Sequence, residues 1–338
     1  MKKGFGWGAV LLVVIGLAAG TIAADVQIVD QTGRTVEISQ PVERLISVYG
    51  FGTYFVYALG ASDRLELGWY VGLKKPSQVT ETMLRFEPRL ESIMRSGTPN
   101  VEEMVAYGTD LILVDGSRHG AFADQMTDLG VPVIQYAVES PEALEEAMRI
   151  TGVALGADAE ARAESYVADL ERIMATIDES LDDMEDTDRP RVLFVGTDPL
   201  KVASGDMFQT TWIERAGGVS VSAGLGGSWN DVNLEQVLVW DPDVIVIAPY
   251  GPVQPSQLLE SPDWAAIQAV RDGRVVRMPR IIGPMDTPVP EALVGLLWMA
   301  EVFHPAAVSL DIAEEITRFY SVYYGFELTD EELQGLLP

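Results

Sequence analysis

The chain has 338 residues, no cysteine, and 23 Lys and Arg against 51 Asp and Glu. A formal charge of −28 opposes nucleic acid and anionic lipid as partners, and the absence of thiols excludes disulfides, thiolate metal sites and a lipid-modified N-terminal cysteine. With only two histidines, a bare Zn or Mn site is not expected and no metal ligand is assigned.

Residues 1–24 read as a secretory signal. Lys2 and Lys3 precede an apolar run from Ala9 to Ala19, and Thr21-Ile22-Ala23-Ala24 offers small residues for cleavage before Asp25. The run is shorter than the ~20 residues a spanning helix needs, which disfavours an anchor. A soluble, unlipidated periplasmic protein is expected. Without its 24 signal residues the chain keeps 314, with 21 basic against 51 acidic side chains, enough for two domains at ~100–200 residues each. The acidity is read first as a solvated face.

Val26 to Asp30 and Arg34 to Ile38 alternate around Gln31-Thr32-Gly33, which predicts a hairpin. Arg44 to Val48 reads as a buried strand, and Tyr49-Gly50-Phe51-Gly52-Thr53 leads into an apolar helix ending near Leu59-Gly60. Further on come a helix over Ala121–Leu129, the strand Val131–Ile134 and a helix from Pro141 to Leu155. Asp158 is the expected cap of a long helix with apolar positions at Tyr166, Leu170, Ile173, Ile177 and Leu181, which would reach roughly 35–40 Å and span two lobes. The acidic stretch Asp182 to Asp188 marks a boundary. Beyond it, Arg191–Val195 and Arg274–Met278 read as strands, and Thr211–Ala216, Ala292–Phe303 and Asp311–Tyr324 as helices.

One pattern occurs twice. Asn100, Glu102, Asp110 and Ile112 recur as Asn233, Glu235, Asp243 and Ile245, each 133 positions on. Asn is a strong helix cap, a Glu two places later meets the positive end of the helix dipole, and the aliphatic runs Leu111–Val114 and Val244–Ile247 suit parallel strands covered on both faces. Two lobes of similar build follow. The reading is α/β, with two Rossmann-like lobes: 25–157, a connecting helix over 158–185, and 186–338 with closing helices.

Over essentially the whole mature chain this pattern resembles the periplasmic solute-binding proteins of ABC importers for iron-siderophore, haem and cobalamin. The resemblance is carried by Asp30-x-x-Gly33-Arg34, both Asn-x-Glu units, Gly130-Val131-Pro132-Val133, the long helix, Ala216-Gly217-Gly218, and Pro262-x-Trp264 through Gly273-Arg274-Val275. It implies a rigid connecting helix, a ligand cleft between the lobes, and a monomeric receptor that docks on a permease dimer through one glutamate per lobe, here Glu102 and Glu235. The segments Asp286-Thr287-Pro288-x-Pro290-Glu291 and Phe319 to Gly325 resemble the branch that includes a molybdate and tungstate binder.

Ligand residues are expected in loops after strands, where open α/β sheets bind. The candidates are Tyr49, Gly50, Thr53, Tyr70, Arg118 and His119 in the first lobe, and Trp229, Tyr250 and Arg280 in the second. Aromatic walls with polar tips suit a bulky iron chelate or corrinoid, and the arginines suit its oxyanion or carboxylate oxygens. A tetrahedral oxyanion is the alternative, held by backbone N–H groups at Gly50 to Thr53 and by Arg118. No Walker loop, complete dinucleotide fingerprint or nucleophile elbow is present, so a binding protein without a cofactor is expected rather than an enzyme. A ligand-sensing domain would use the same fold.

Overall fold

The computed structural model describes residues 25–305 and 307–338. The signal read at 1–24 lies outside them. Strands β1 (Val26–Val29) and β2 (Thr35–Ile38) form the expected antiparallel hairpin. Asp30, buried at its turn, accepts N–H bonds from Thr32 and Arg34 at 3.0 Å and from Gln135 at 3.2 Å, which ties the hairpin to the first sheet.

That sheet is wholly parallel. It contains β3 (Leu45–Ser47), β4 (Leu65–Trp69), β5 (Met94–Arg95), β6 (Leu111–Asp115) and β7 (Val133–Tyr136) in the order β5-β4-β3-β6-β7. The second sheet holds β8 (Arg191–Val195), β9 (Lys201–Val202), β10 (Val219–Ser220), β11 (Asn230–Asp231), β12 (Val244–Ile247) and β13 (Val275–Arg277). Its order is β11-β9-β8-β12-β13, with β10 also on β8 and with antiparallel pairing at β8–β9 and β9–β11.

The repeat has a mechanical explanation. Asn100 and Asn233 cap the helices Val101–Ala106 and Leu234–Trp240, accepting from Glu103 and Gln236 N–H at 3.0 and 2.8 Å. Asp110 accepts from the N–H groups of Glu43 and Arg44, and Asp243 from that of Arg191, so each aspartate holds the start of its lobe's first parallel strand. Each sheet then divides its side chains. Ile112 and Val114, like Ile245 and Ile247, pack outward toward Met104 or Val237 on the repeated helix. Leu111 and Leu113, like Val244 and Val246, enter one core that runs through the middle of the molecule.

The long helix runs Ala157–Ser180, about 36 Å at 1.5 Å per residue, and ends before the 185 expected for it. Its cap also differs from expectation: Gly156, at φ +104°, precedes it, and Asp158 sits inside the first turn without capping it. Tyr166, Leu170, Ile173 and Ile177 are buried as their spacing requires. Helix Ala292–Phe303 is apolar nearly all round because other helices surround it.

The last two helices, Ile312–Tyr324 and Asp330–Leu336, follow the second lobe in the chain, and besides helix Ala292–Phe303 they pack against the first lobe. Arg162 of the long helix donates to the carbonyls of Ala58, Val322 and Tyr323, and Glu332 accepts from Thr82 and Arg85, both at 2.6 Å. Phe86 of the first lobe lies against the rings of Tyr324 and Phe326. His304, the C-cap residue of helix Ala292–Phe303, is buried beside the Gly217 carbonyl at 3.1 Å.

Candidate ligand site

Because the main strands of both sheets are parallel, the loops after β3, β4 and β6 gather at one edge of the first sheet, and those after β8, β12 and β13 at one edge of the second. The two edges meet at the turn after β4. Gly72 there has φ +71°, and a Cβ on it would lie 2.7 Å from Nη1 of Arg280 and 3.2 Å from Cβ of Tyr250. Only glycine suits both that backbone and that approach.

Arg280 is half-buried and crosses the junction. Its Nε donates to the Ile282 carbonyl at 3.1 Å and its Nη2 to the Tyr54 hydroxyl at 3.2 Å. No carboxylate lies within 4.0 Å of its guanidinium among the described residues. Tyr54 belongs to the helix Gly50–Ala58, whose first turn holds no acid and whose cap position, Tyr49, makes no side-chain bond to it. That positive helix end abuts the same turn, since a Cβ on Gly50 would sit 3.4 Å from the Val71 nitrogen. A polarised helix terminus and a guanidinium without an ion-pair partner therefore flank Val71 and Gly72.

Tyr250 is held by its hydroxyl, which donates to Oδ2 of Asp286 at 2.8 Å, and Gln209 donates to the same oxygen at 3.2 Å. Burial above all, then the Asp286 charge, raises the Tyr250 phenol well above its usual range. Asp286 and Glu291 are both fully buried, and burial pushes their carboxyls up to about 6 and about 7. Tyr70 joins the junction through its ring, but its hydroxyl is spent on Tyr57 at 2.7 Å and it is buried beneath the surface.

The other expected residues are placed elsewhere. Tyr49 is buried and stacked on Tyr136 at 5.6 Å, and burial, then Asp115 and Glu139, raise its phenol strongly. Thr53 is fully buried and donates to the Trp69 carbonyl at 2.6 Å. Arg118 is 80% exposed and pairs with Asp115 at 3.4 Å, while His119 beside it has Nδ1 buried without a hydrogen-bond partner among the described residues. Burial lowers the His119 pKa, with Asp115 opposing. Trp229 is half-buried at the carboxyl edge of the second sheet, against Gly196 and 6.3 Å from Phe194, on a loop clamped by Ser204 and Asp206 to Gly227.

Of the expected ligand residues the structure brings Gly50, Tyr70, Tyr250 and Arg280 to this junction, and Tyr54, Gly72 and Glu291, which were not among them, lie there too. Tyr54 reads as helix core and Gly72 as an ordinary turn, because nothing local shows that the other lobe lies against them. Glu102 and Glu235 are exposed, each in the first turn of its helix, with no ion pair or hydrogen bond among the described residues. The residues 133 apart beside them, Val105 and Leu238, are also exposed, at 48% and 38%.

Residues 45–281 match the profile of the periplasmic binding protein family. The chain is 25% identical to the molybdate-binding protein MolA of Haemophilus influenzae, over 89% of this chain and 91% of that protein. It is 26% identical to a vitamin B12-binding protein of Yersinia pestis over 62% of this chain and 71% of the relative. Two solved structures share the fold: a periplasmic solute-binding protein of Veillonella parvula (TM-score 0.80, 23% identity, 93% of this chain and 97% of that one) and molybdate-bound MolA (TM-score 0.78, 22% identity, 90% and 99%).

Proposed function

Because the chain belongs to the periplasmic binding protein family, we propose that it is the solute receptor of an ABC importer and that it captures a tetrahedral oxyanion, of the molybdate and tungstate class, at the lobe junction. The observation that carries this reading is Arg280, which bridges the lobes to Tyr54 with no carboxylate within 4.0 Å among the described residues. A guanidinium so placed offers planar, paired donors suited to an oxyanion, and the uncapped start of helix Gly50–Ala58 adds backbone N–H groups nearby. Similarity to the molybdate binder over nine-tenths of the chain supports the same ligand class. Fluorescence titration of the mature protein tests it. Saturable quenching by molybdate or tungstate that is lost in Arg280→Ala is expected, and a flat response to both oxyanions overturns the reading.

A second reading, an iron chelate or corrinoid, is favoured by the half-buried Trp229 at the edge of the second sheet and by the B12-binding relatives. The same titration with ferric siderophores, haem and cobalamin separates the two.

Docking follows from the repeat. Of its four recurring residues, the Asn caps, the Asp anchors a strand start and the Ile fills a core, whereas Glu102 and Glu235 form no ion pair or hydrogen bond among the described residues and only meet the helix dipole. We assign them to a membrane partner with two related halves, the permease dimer, on the periplasmic side of the inner membrane. The double variant Glu102→Lys/Glu235→Lys should abolish uptake while leaving ligand affinity within about twofold, since both side chains are exposed and make no hydrogen bond or ion pair with Arg280 or its partners among the described residues. Undiminished uptake would sink the assignment.

A further inference from the structure

Two buried acids at the lobe junction share Arg280 as the cation acting on both among the described residues. Asp286 and Glu291 are each 0% exposed on the segment between β13 and helix Ala292–Phe303. Both oxygens of Glu291 are engaged, Oε1 by the Gly283 N–H at 2.6 Å and Oε2 by the Tyr324 hydroxyl at 2.5 Å. A Cβ on Gly283 would fall 2.4 Å from Oε1, so the carboxyl is locked against the turn that follows Arg280. Asp286 differs: Oδ2 accepts from Tyr250 and Gln209, while Oδ1 is buried with no hydrogen-bond partner among the described residues. An orphan oxygen in a dry site is costly when charged.

The groups facing the pair come from several elements. Glu291 is bonded by Tyr324 of helix Ile312–Tyr324 and lies within electrostatic reach of Tyr54 of the first lobe's helix, Tyr166 of the long helix and Tyr320, with Arg280 as the cation. Asp286 meets Tyr250 and Gln209, with Arg280 again as the cation. None of these phenols supplies positive charge, so one guanidinium serves two carboxylates.

We propose that Asp286 and Glu291 form a proton reservoir for the lobe junction, so that an oxyanion bound at Arg280 is captured together with about one proton. This rests on the oxyanion reading. The ligand occupies the charge of Arg280 that the carboxylates otherwise share, and added negative charge in a water-poor site favours the protonated acid. The carboxyls, already pushed up to about 6 and about 7 chiefly by burial, stand where neutral pH can supply that proton. Molybdate is a dianion throughout this range, so the proton is taken by the protein.

Calorimetric titration of the mature protein with sodium molybdate, run at one pH in two buffers of different ionisation enthalpy, counts the protons. We expect uptake of about 0.5 to 1 proton per anion near pH 7, and affinity that weakens up to about tenfold per pH unit between 6 and 8. The near-isosteric variant Asp286→Asn/Glu291→Gln should bind molybdate with buffer-independent heats and an affinity flat in pH. Saturable molybdate binding by the wild type with identical heats in both buffers overturns the reservoir and leaves the oxyanion reading standing. No saturable heat with molybdate or tungstate at any pH overturns both. If the double variant does not fold, Glu291→Gln alone and the wild-type proton count decide.

Discussion

Arg118 and Arg280 each follow a strand at the carboxyl edge of a sheet, but Arg118 is 80% exposed with Asp115 at 3.4 Å, whereas Arg280 is half-buried and has no carboxylate within 4.0 Å among the described residues. The first is a solvated ion pair of the kind worth little, and its charge is already answered. The second is held by a carbonyl and a phenol, both neutral, and its charge reaches Asp286 and Glu291 only from beyond 4.0 Å, so among the described residues no contact ion pair answers it. On the proposed reading, pairing and burial, more than residue type, single out Arg280 over Arg118 as the anion's partner.

The largest effect should come from breaking that contrast directly. Arg280→Ala should weaken molybdate binding by about 100-fold or more, in the range found when one partner of a partly buried charge pair is removed, while Arg118→Ala should change it less than about threefold. Equal losses in the two variants, measured by fluorescence titration, would show that the first-lobe edge is the site.

A smaller effect separates two glycines. Gly72→Ala forces a side chain into φ +71° and against the guanidinium, and should lower stability by about 1–3 kcal/mol and displace Arg280. Gly120→Ala, at the start of helix Gly120–Asp128 with open space around its Cα, should cost less than about 0.5 kcal/mol or be mildly stabilising. Denaturant melts of both variants check this.

The smallest effect is a difference in sign with pH. Glu291 and Asp286 have folded pKa values raised above their unfolded ones, so their contribution is fully present below about pH 4 and declines as pH rises through about 6 to 7. His119 has a lowered folded pKa, so its neutral form favours the fold above the ordinary imidazole range and that contribution fades as pH falls through it. The melting temperature should therefore rise by a few degrees from pH 8 to pH 5, at roughly 2–4 °C per kcal/mol in domains of this size. Glu291→Gln should flatten this rise and His119→Gln should steepen it slightly. A melting temperature that falls over the same range would place control with the first-lobe edge.

The sequence alone determined what depends on near neighbours in the chain. Period-2 and period-3.6 patterns placed the hairpin, the buried strands and the long helix, and the 133-residue offset exposed two lobes with their capping Asn and strand-anchoring Asp, because caps, turns and side-chain periodicity act within a few residues. The long helix's cap was misread for a related reason: Asp158 is a good cap by type, but Gly156 at φ +104° starts the helix earlier.

Only the tertiary structure decided where the last two helices pack, since nothing near Glu332 in the chain announces Thr82 and Arg85. It alone brought Gly72 and Tyr54 to Arg280, and it alone sealed Asp286 and Glu291 from water. The physical reason is the same in each case. Burial, charge pairing and the fit between lobes are properties of contacts made across large sequence separations, and in this protein those contacts determine which of its arginines and acids are paired and which are sealed from water.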